Sequence, residues 1–327
     1  MEETLRWGIL GPGKIAHSFA RDLQLVKGNK LIAVASRTLE KAVAFGKEYD
    51  AKFTFGNYDE LFQCDSVDVI YIATPHMAHA SLSIQAMDHG KHVLCEKPMG
   101  VNSWEVEQMI ACSKKNGVFL MEALWSRFNP SIRKVKSLID SGTIGEMRYL
   151  YATFGFYGLD NDPQGRLLNP YLAGGSLLDI GIYPVFLAYL MLGKPERIFS
   201  TSKVLEKGVE VQSAMIFDYP VCQALLYSGL SSKTEMKAEL AGTKGNLFLH
   251  PRWHETQAYS LEQEGQLHTY ELPTLGKGYT HEIIEVHECL RNNKKESALW
   301  SHQNSLDLIG LLGEIRKQNA LIFPFEE

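Results

Sequence analysis

The stretch that most constrains this chain is Leu5-Arg6-Trp7-Gly8-Ile9-Leu10 running directly into Gly11-Pro12-Gly13-Lys14-Ile15-Ala16. The first six residues read as a short strand, and Ile15, Phe19, Leu23 and Val26 then recur at the spacing of an amphipathic helix. Between strand and helix lies G-x-G-x-x-A. Gly11 allows a tight turn, Gly13 lets backbone approach a pyrophosphate, and Ala16 lets the helix pack close to the strand. Free N–H groups at the start of such a helix suit phosphate oxygens. A plain structural turn would use the same glycines. A second strand over residues 31–36 follows at the distance a dinucleotide-binding unit requires, and favours the binding reading.

The end of that second strand selects the cofactor. NAD sites usually carry an acid there, bonded to the ribose hydroxyls, whereas NADP sites use arginine or small polar groups for the 2′-phosphate. Here the chain has Ser36-Arg37-Thr38, no acid until Glu40, and Lys41 a turn into the next helix. Arg37 can stack on adenine and pair with phosphate. The expectation is NADP, with NAD the lesser alternative.

Residues 67–73 form a nearly continuous apolar run, the pattern of a central parallel strand. It ends in Ala73-Thr74-Pro75-His76 at a carboxyl end, and His79 follows three residues later. His76 and His79 have the spacing of a metal pair, but no cysteine or carboxylate cluster joins them. No metal is assigned; His76 and His79 are placed at the cofactor with Ala73, Thr74 and Pro75, as are Glu96 and Lys97 after the next strand.

Val93-Leu94-Cys95-Glu96-Lys97-Pro98 is another apolar run, cut off by an acid, a base and a proline. Ligands of open α/β sheets sit beyond the carboxyl ends of the strands. A lysine there faces a site rather than a core and can polarise a nearby oxygen. The plain alternative is a surface Glu96–Lys97 pair on a loop. Ser103 reads as the N-cap of a helix over 104–116, Gly117 as its stop, and residues 118–122 as the next strand. Alternating β and α through this half predicts a doubly wound parallel sheet over residues 1–122.

After Glu122 the pattern changes. Asn129-Pro130 opens a helix, residues 147–156 read as a long strand, and strand-like runs follow at 199–205, 209–217, 223–228 and 237–240. Strands in succession predict a second α/β domain over 123–327, with an open, mostly antiparallel sheet covered on one face. Late helices over 281–292 and 306–317 close the chain, and the last has room to pack back on the first domain. Within this half, Gly174-Gly175-Ser176-Leu177-Leu178-Asp179-Ile180-Gly181-Ile182-Tyr183 starts a helix on which Asp179 and Tyr183 share a face. A tyrosine hydroxyl beside a cation can exchange a proton with a carbinol oxygen, and a carboxylate can orient substrate hydroxyls. Core packing of Tyr183, with Asp179 as a cap or ion-pair partner, is the alternative.

Composition narrows the partners. At 327 residues the chain has room for about two domains, and a net charge of −5 argues against nucleic acid. Cys64, Cys95, Cys112, Cys222 and Cys289 are scattered without metal-finger spacing, which suits reduced thiols in a cytoplasmic protein. Met1-Glu2-Glu3 is acidic and unlike a signal peptide. No apolar run is read as long enough to span a membrane.

Taken together, Gly11-Pro12-Gly13-Lys14-Ile15-Ala16, Ala73-Thr74-Pro75, Glu96-Lys97-Pro98 and the 174–183 stretch resemble the glucose–fructose oxidoreductase/inositol dehydrogenase/rhizopine catabolism family. The resemblance covers essentially the whole chain. Met121-Glu122-Ala123-Leu124-Trp125-Ser126-Arg127-Phe128 and the Asp-x-Gly-x-Tyr ending look like its dimeric dihydrodiol dehydrogenase/NADP-dependent xylose dehydrogenase branch. Inositol dehydrogenase-like members carry histidine where Tyr183 stands, and the chain departs from them there.

The resemblance implies a Rossmann domain, a second domain whose open sheet makes a homodimer, and a Lys97–Pro98 bond that is cis in relatives. It implies Lys97 and Tyr183 flanking the reacting carbon with Asp179 assisting, and Trp125, Arg148, Phe154, Trp253 and Tyr279 lining the substrate pocket. Trp253 and Tyr279 lie where the register of the resemblance is weaker. The expected activity is hydride transfer between NADP and a hydroxyl or carbonyl carbon of a sugar or polyol. A non-catalytic NADP-binding sensor on the same fold is the rival, and an imine or aromatic diol is the other substrate class.

Overall fold

The computed structural model describes residues 4–326; Met1-Glu2-Glu3 lies outside the described residues. The chain divides into two compact units. One runs up to Trp125 and takes in Leu275–Leu306; the other comprises Ser126–Thr274 and the chain from Asp307.

The first unit opens β1 Leu5–Leu10, α1 Lys14–Leu23, β2 Asn29–Ala35, α2 Leu39–Glu48, β3 Phe53–Phe55, α3 Tyr58–Phe62 and β4 Val69–Ile72. It continues α4 His79–Asp88, β5 His92–Glu96, α5 Ser103–Asn116 and β6 Leu120–Ala123. The strands order β3-β2-β1-β4-β5-β6 and every neighbouring pair is parallel. This is the doubly wound sheet expected, with its switch point between β1 and β4, where the order reverses. All four residues of β4 are 0% exposed, which is why the run shows no alternation.

Three local details differ from the sequence reading. β3 and α3 add to the predicted elements, because three half-buried and five helical residues are too short to display a period. The cap of α5 is Asn102, whose side chain accepts the Glu105 N–H at 3.0 Å, so Ser103 is the first helical residue rather than the cap. The stop at Gly117 stands, in the left-handed region at φ +62°.

In the second unit come α6 Pro130–Asp140, β7 Met147–Gly155, a π-helical turn Leu177–Gly181 that runs into α7 Ile182–Leu192, and β8 Arg197–Val204. β9 Glu210–Asp218, β10 Gln223–Gly229, β11 Ala238–Gly242, β12 Gly245–Leu249, β13 Ala258–Gln263 and β14 Gln266–Glu271 complete its sheet. The eight strands order β14-β13-β12-β11-β7-β10-β9-β8, antiparallel except where β7 and β10 pair in parallel. α7 packs on β7 and β10 and covers one face. On the other face Tyr151, Phe199, Ile216 and Leu225 are exposed.

By length and composition, the stretch Pro170–Leu192 is apolar enough to cross a bilayer, contrary to the sequence reading; it is mostly buried inside the protein, as a core helix is. Two helices follow. α8 Thr280–Arg291 belongs to the first unit, and α9 His302–Gln318 contains the division between Leu306 and Asp307. The start of α8 is held from α1: the Asp22 carboxylate accepts the N–H groups of Lys277, Gly278 and Tyr279 at 2.9, 2.9 and 2.8 Å.

Candidate active site

In the first unit the candidate site starts at the turn after β1. Gly11 has φ +89°, and a Cβ there would lie 2.8 Å from the Ala73 carbonyl oxygen at the end of β4. Only glycine brings these two strand ends so close. A Cβ on Gly13 would meet nothing within 4 Å, so the turn leaves an open cradle. Among the described residues no side chain caps the start of α1, the arrangement that suits an anion at a helix N-terminus. Gly13, Lys14 and Ile15 are exposed at this mouth while Ala16 is fully buried under it. Thr74 Oγ1, buried at the end of β4, has no hydrogen-bond partner among the described residues. An open cradle, uncapped helix N–H groups and an orphaned hydroxyl fit a dinucleotide's phosphates and sugars.

Beyond β2, Ser36 is buried, with its N–H donating to Phe55 O at 3.1 Å. Arg37, Thr38 and Lys41 are exposed. Arg37 lies close enough to Tyr58 for its charge to pull that phenol's pKa down, against the larger upward push of burial. This corner therefore presents cations and a hydroxyl where an NAD site presents an acid.

Lys97 follows β5, half-buried, and the Lys97–Pro98 bond is cis. Two buried carboxyls stand behind it. Glu96 accepts the Lys97 N–H at 3.2 Å and the hydroxyl of Tyr71, itself stacked on Phe19. Glu122 accepts the Met99 N–H (2.9 Å), the Trp300 indole N–H (3.0 Å) and the Ser305 hydroxyl (2.7 Å). Burial pushes the Glu122 carboxyl above its usual range, while these bonds and the Lys97 charge pull the other way.

His79 is fully buried, with Nδ1 2.7 Å from Pro98 O and Nε2 2.9 Å from Thr74 O. It thus ties the loop after β4 to the loop carrying Lys97. His76, 6% exposed, sets its ring edge-on to His79 at 5.7 Å. With both ring nitrogens of His79 facing carbonyls, the pair is a brace. No group of three or more metal-ligating side chains is placed to hold an ion among the described residues.

The second unit carries its own cluster of candidate residues, built on the π-turn. Asp179 and Tyr183 are each 6% exposed. The Asp179 carboxylate accepts Arg166 Nη1–H at 2.8 Å. Tyr183 lies against Phe154 of β7 and His254, at ring separations of 5.3 and 5.4 Å, and His254 stacks on Phe154 at 4.2 Å. The buried His254 sits on a short turn, Trp253–Glu255, where its carbonyl accepts the Ser126 hydroxyl at 2.6 Å.

Of the residues expected at a substrate pocket, Phe154 is therefore beside Tyr183. Trp253 is 0% exposed, its indole N–H on Thr153 O at 3.0 Å, so it anchors the turn that presents His254. Arg148 lies six residues before Phe154, about 20 Å back along β7. There it pairs with Glu146 at 2.6 Å, and the structure does not bring it to this cluster. Trp125 and Tyr279 stack in the first unit, 4.7 Å apart and nearly coplanar.

Sequence reading did not single out Arg166, His254 or the pinning of Glu122. Arg166 sits in a loop with no period, and Glu122 reads simply as a strand end. Only its neighbour Trp253, in the weakest part of the resemblance, hinted at His254.

A doubly wound parallel sheet with a glycine cradle after β1 and a lysine at the carboxyl edge of β5 is the framework of a nicotinamide-dependent oxidoreductase. The chain belongs to the GFO/IDH/MocA oxidoreductase family: the family's "NAD-binding Rossmann fold" matches residues 5–124, and its C-terminal domain matches residues 132–248. It is 37% identical over 334 residues to trans-1,2-dihydrobenzene-1,2-diol dehydrogenase of Mus musculus, covering 98% of each chain. It is 30% identical to the scyllo-inositol 2-dehydrogenase (NADP(+)) of Bacillus subtilis, covering 99% of each. In structure it is similar to the aldose-aldose oxidoreductase of Caulobacter crescentus complexed with glycerol, at TM-score 0.88 and 26% identity over 96% of this chain and 97% of that one.

Proposed function

We propose that this oxidoreductase transfers hydride between NADP and a hydroxyl or carbonyl carbon of a sugar or polyol. The observation that carries the reading is Lys97, at the carboxyl end of β5 in the same sheet as the glycine cradle and braced to it through His79. NADP rather than NAD is supported by Arg37, Thr38 and Lys41 at the end of β2, and by the NADP named in the Bacillus relative. The polyol class is supported by relatives that act on a diol, an inositol and aldoses.

When bound, NADP supplies the hydride acceptor or donor. Residues 11–16, with Ala73, Thr74, Pro75 and Glu96, hold and frame it; Ser36, Arg37, Thr38 and Lys41 take its ribose phosphate. Tyr183 Oη removes the hydroxyl proton as the carbon is oxidised, and returns it in the reverse reaction. The Lys97 charge favours the deprotonated phenol and polarises the substrate oxygen. Asp179, fixed by Arg166, orients a neighbouring substrate hydroxyl. Phe154 and the stacked Trp125 and Tyr279 offer apolar surface to the substrate's carbon skeleton. In this reading the first unit is the cofactor unit and the second the substrate unit. The open sheet face with Phe199, Ile216 and Leu225 is the homodimer surface, and five free cysteines suit the cytoplasm.

Nicotinamide absorbance against aldoses, inositols and dihydrodiols, with NADP and NAD in parallel, tests the whole reading. Turnover with NADP on an aldose or inositol is expected. Binding of NADP with no turnover on any polyol or dihydrodiol overturns the catalytic assignment.

A further inference from the structure

One buried carboxyl of the second unit takes no part in the chemistry above. Glu210 opens β9 and is 5% exposed. It accepts hydrogen bonds from the hydroxyls of Ser176 (2.6 Å) and Ser213 (2.8 Å) at Oε1, and from the Leu177 N–H (2.7 Å) at Oε2. Two of those donors are the residues where the π-turn begins. Leu177 is its first residue, two before Asp179 and six before Tyr183.

Beneath the turn the sheet is made of small hydroxyl side chains. Ser202, Ser213 and Ser228 stand opposite one another across β8, β9 and β10. Ser202 and Ser213 hydroxyls are 2.8 Å apart, and Ser176 reaches Ser228 at 3.1 Å. The turn lies hard against this row: a Cβ on Gly181 would fall 2.8 Å from Ser228 Oγ. Serines and a glycine thus permit the close approach, and Glu210 supplies the carboxyl on which Ser176, Ser213 and Leu177 converge.

Burying a carboxyl is costly, and an apolar residue of similar volume usually stabilises a fold as well or better. Burial accordingly raises the pKa of Glu210, with its hydrogen-bond donors opposing it. Such a group needs a reason beyond packing, and its bonds supply one, because they fix the height and rotation at which the turn leaves the sheet. We propose that Glu210 is a positioning residue: through Ser176 and Leu177 it sets the π-turn so that Asp179 and Tyr183 are held in the arrangement proton transfer requires. This rests on the roles given to Asp179 and Tyr183 under Proposed function.

The test uses the full chain with Glu210→Gln and Ser176→Ala, and Tyr183→Phe alongside. An amide in place of the carboxyl cannot accept at both ends, so the Leu177 N–H or the Ser176 hydroxyl loses its acceptor. In Glu210→Gln, kcat on the best substrate of the panel is expected to fall about 10- to 100-fold, the scale of a small misplacement at the reacting atoms. Binding of NADPH, titrated by its fluorescence, is expected to stay within about twofold of wild type, because the cradle is in the other unit. Ser176→Ala keeps the Leu177 bond and is expected to lose kcat in the same direction by less.

A second readout needs no substrate. With ¹³Cζ-labelled tyrosine, the resonance that vanishes in Tyr183→Phe is expected to move in Glu210→Gln. Folded Glu210→Gln with wild-type kcat, or an unmoved Tyr183 resonance, overturns the proposal; if Glu210→Gln does not fold, Ser176→Ala decides on the same two readouts. Full activity in Tyr183→Phe would instead sink the role given to Tyr183, leaving the resonance shift to report on positioning alone.

Discussion

Glu282 on α8 is 0% exposed, and neither of its carboxyl oxygens has a partner among the described residues. Burial first, then the negative charges of Glu96 and Asp22, lift its pKa well above the ordinary 4.5. The folded state therefore keeps a proton that the unfolded chain loses above about pH 4.5, and stability from this group drains away as pH rises toward its folded pKa. Glu282→Gln cannot ionise. Its thermal midpoint relative to wild type should rise with pH above about 4.5, by up to the equivalent of about 1.4 kcal/mol per pH unit, and parallel curves would refute this. Two further outcomes belong to single side chains. Arg37→Asp should reverse the preference for NADP over NAD in KM; equal loss of both would remove Arg37 from the choice. Lys97→Met should abolish turnover while leaving NADPH binding intact, whereas turnover retained would take Lys97 out of the mechanism.

Short elements set the site, and their legibility varied with how local their signals were. The β1 turn reads from the chain alone because strand, glycines and helix are contiguous, and its close contact with Ala73 explains why Gly11 is there. Gly11→Ala combines a positive φ with a 2.8 Å contact to backbone, and should weaken NADPH binding about tenfold or more by fluorescence titration. Unchanged affinity would mean the turn does not hold the cofactor. The 174–183 stretch was legible as a helix start with Asp179 and Tyr183 on one side. That it begins as a π-turn was not, because the wider turn answers to contacts with Glu210 and Ser228, distant in sequence. β12, β13 and β14 lie outside the strand runs predicted from the sequence; β14, exposed along its whole length, carries no buried periodicity.

For the molecule as a whole, the open face of the eight-stranded sheet gives the clearest expectation. Phe199 and Ile216, 52% and 38% exposed, stand on neighbouring, directly paired positions of β8 and β9. An apolar sheet face of this kind is the homodimer surface proposed above. Wild-type protein should sediment as a dimer and Phe199→Glu/Ile216→Glu as a monomer, with NADPH binding retained; a monomeric wild type would remove the surface's role. By itself the sequence determined the parallel, doubly wound first half, the cradle and the position of Lys97, since each is written in residues adjacent along the chain and repeats the strand–turn–helix period. Only the tertiary structure decided that Leu275–Leu306 joins that first unit, that β7 and β10 pair in parallel, and that Arg166, His254 and Glu210 gather around Asp179 and Tyr183. Those pairings join residues from 13 to more than a hundred positions apart, chosen by shape and by the need of buried polar groups for partners, and neither leaves a period in the sequence.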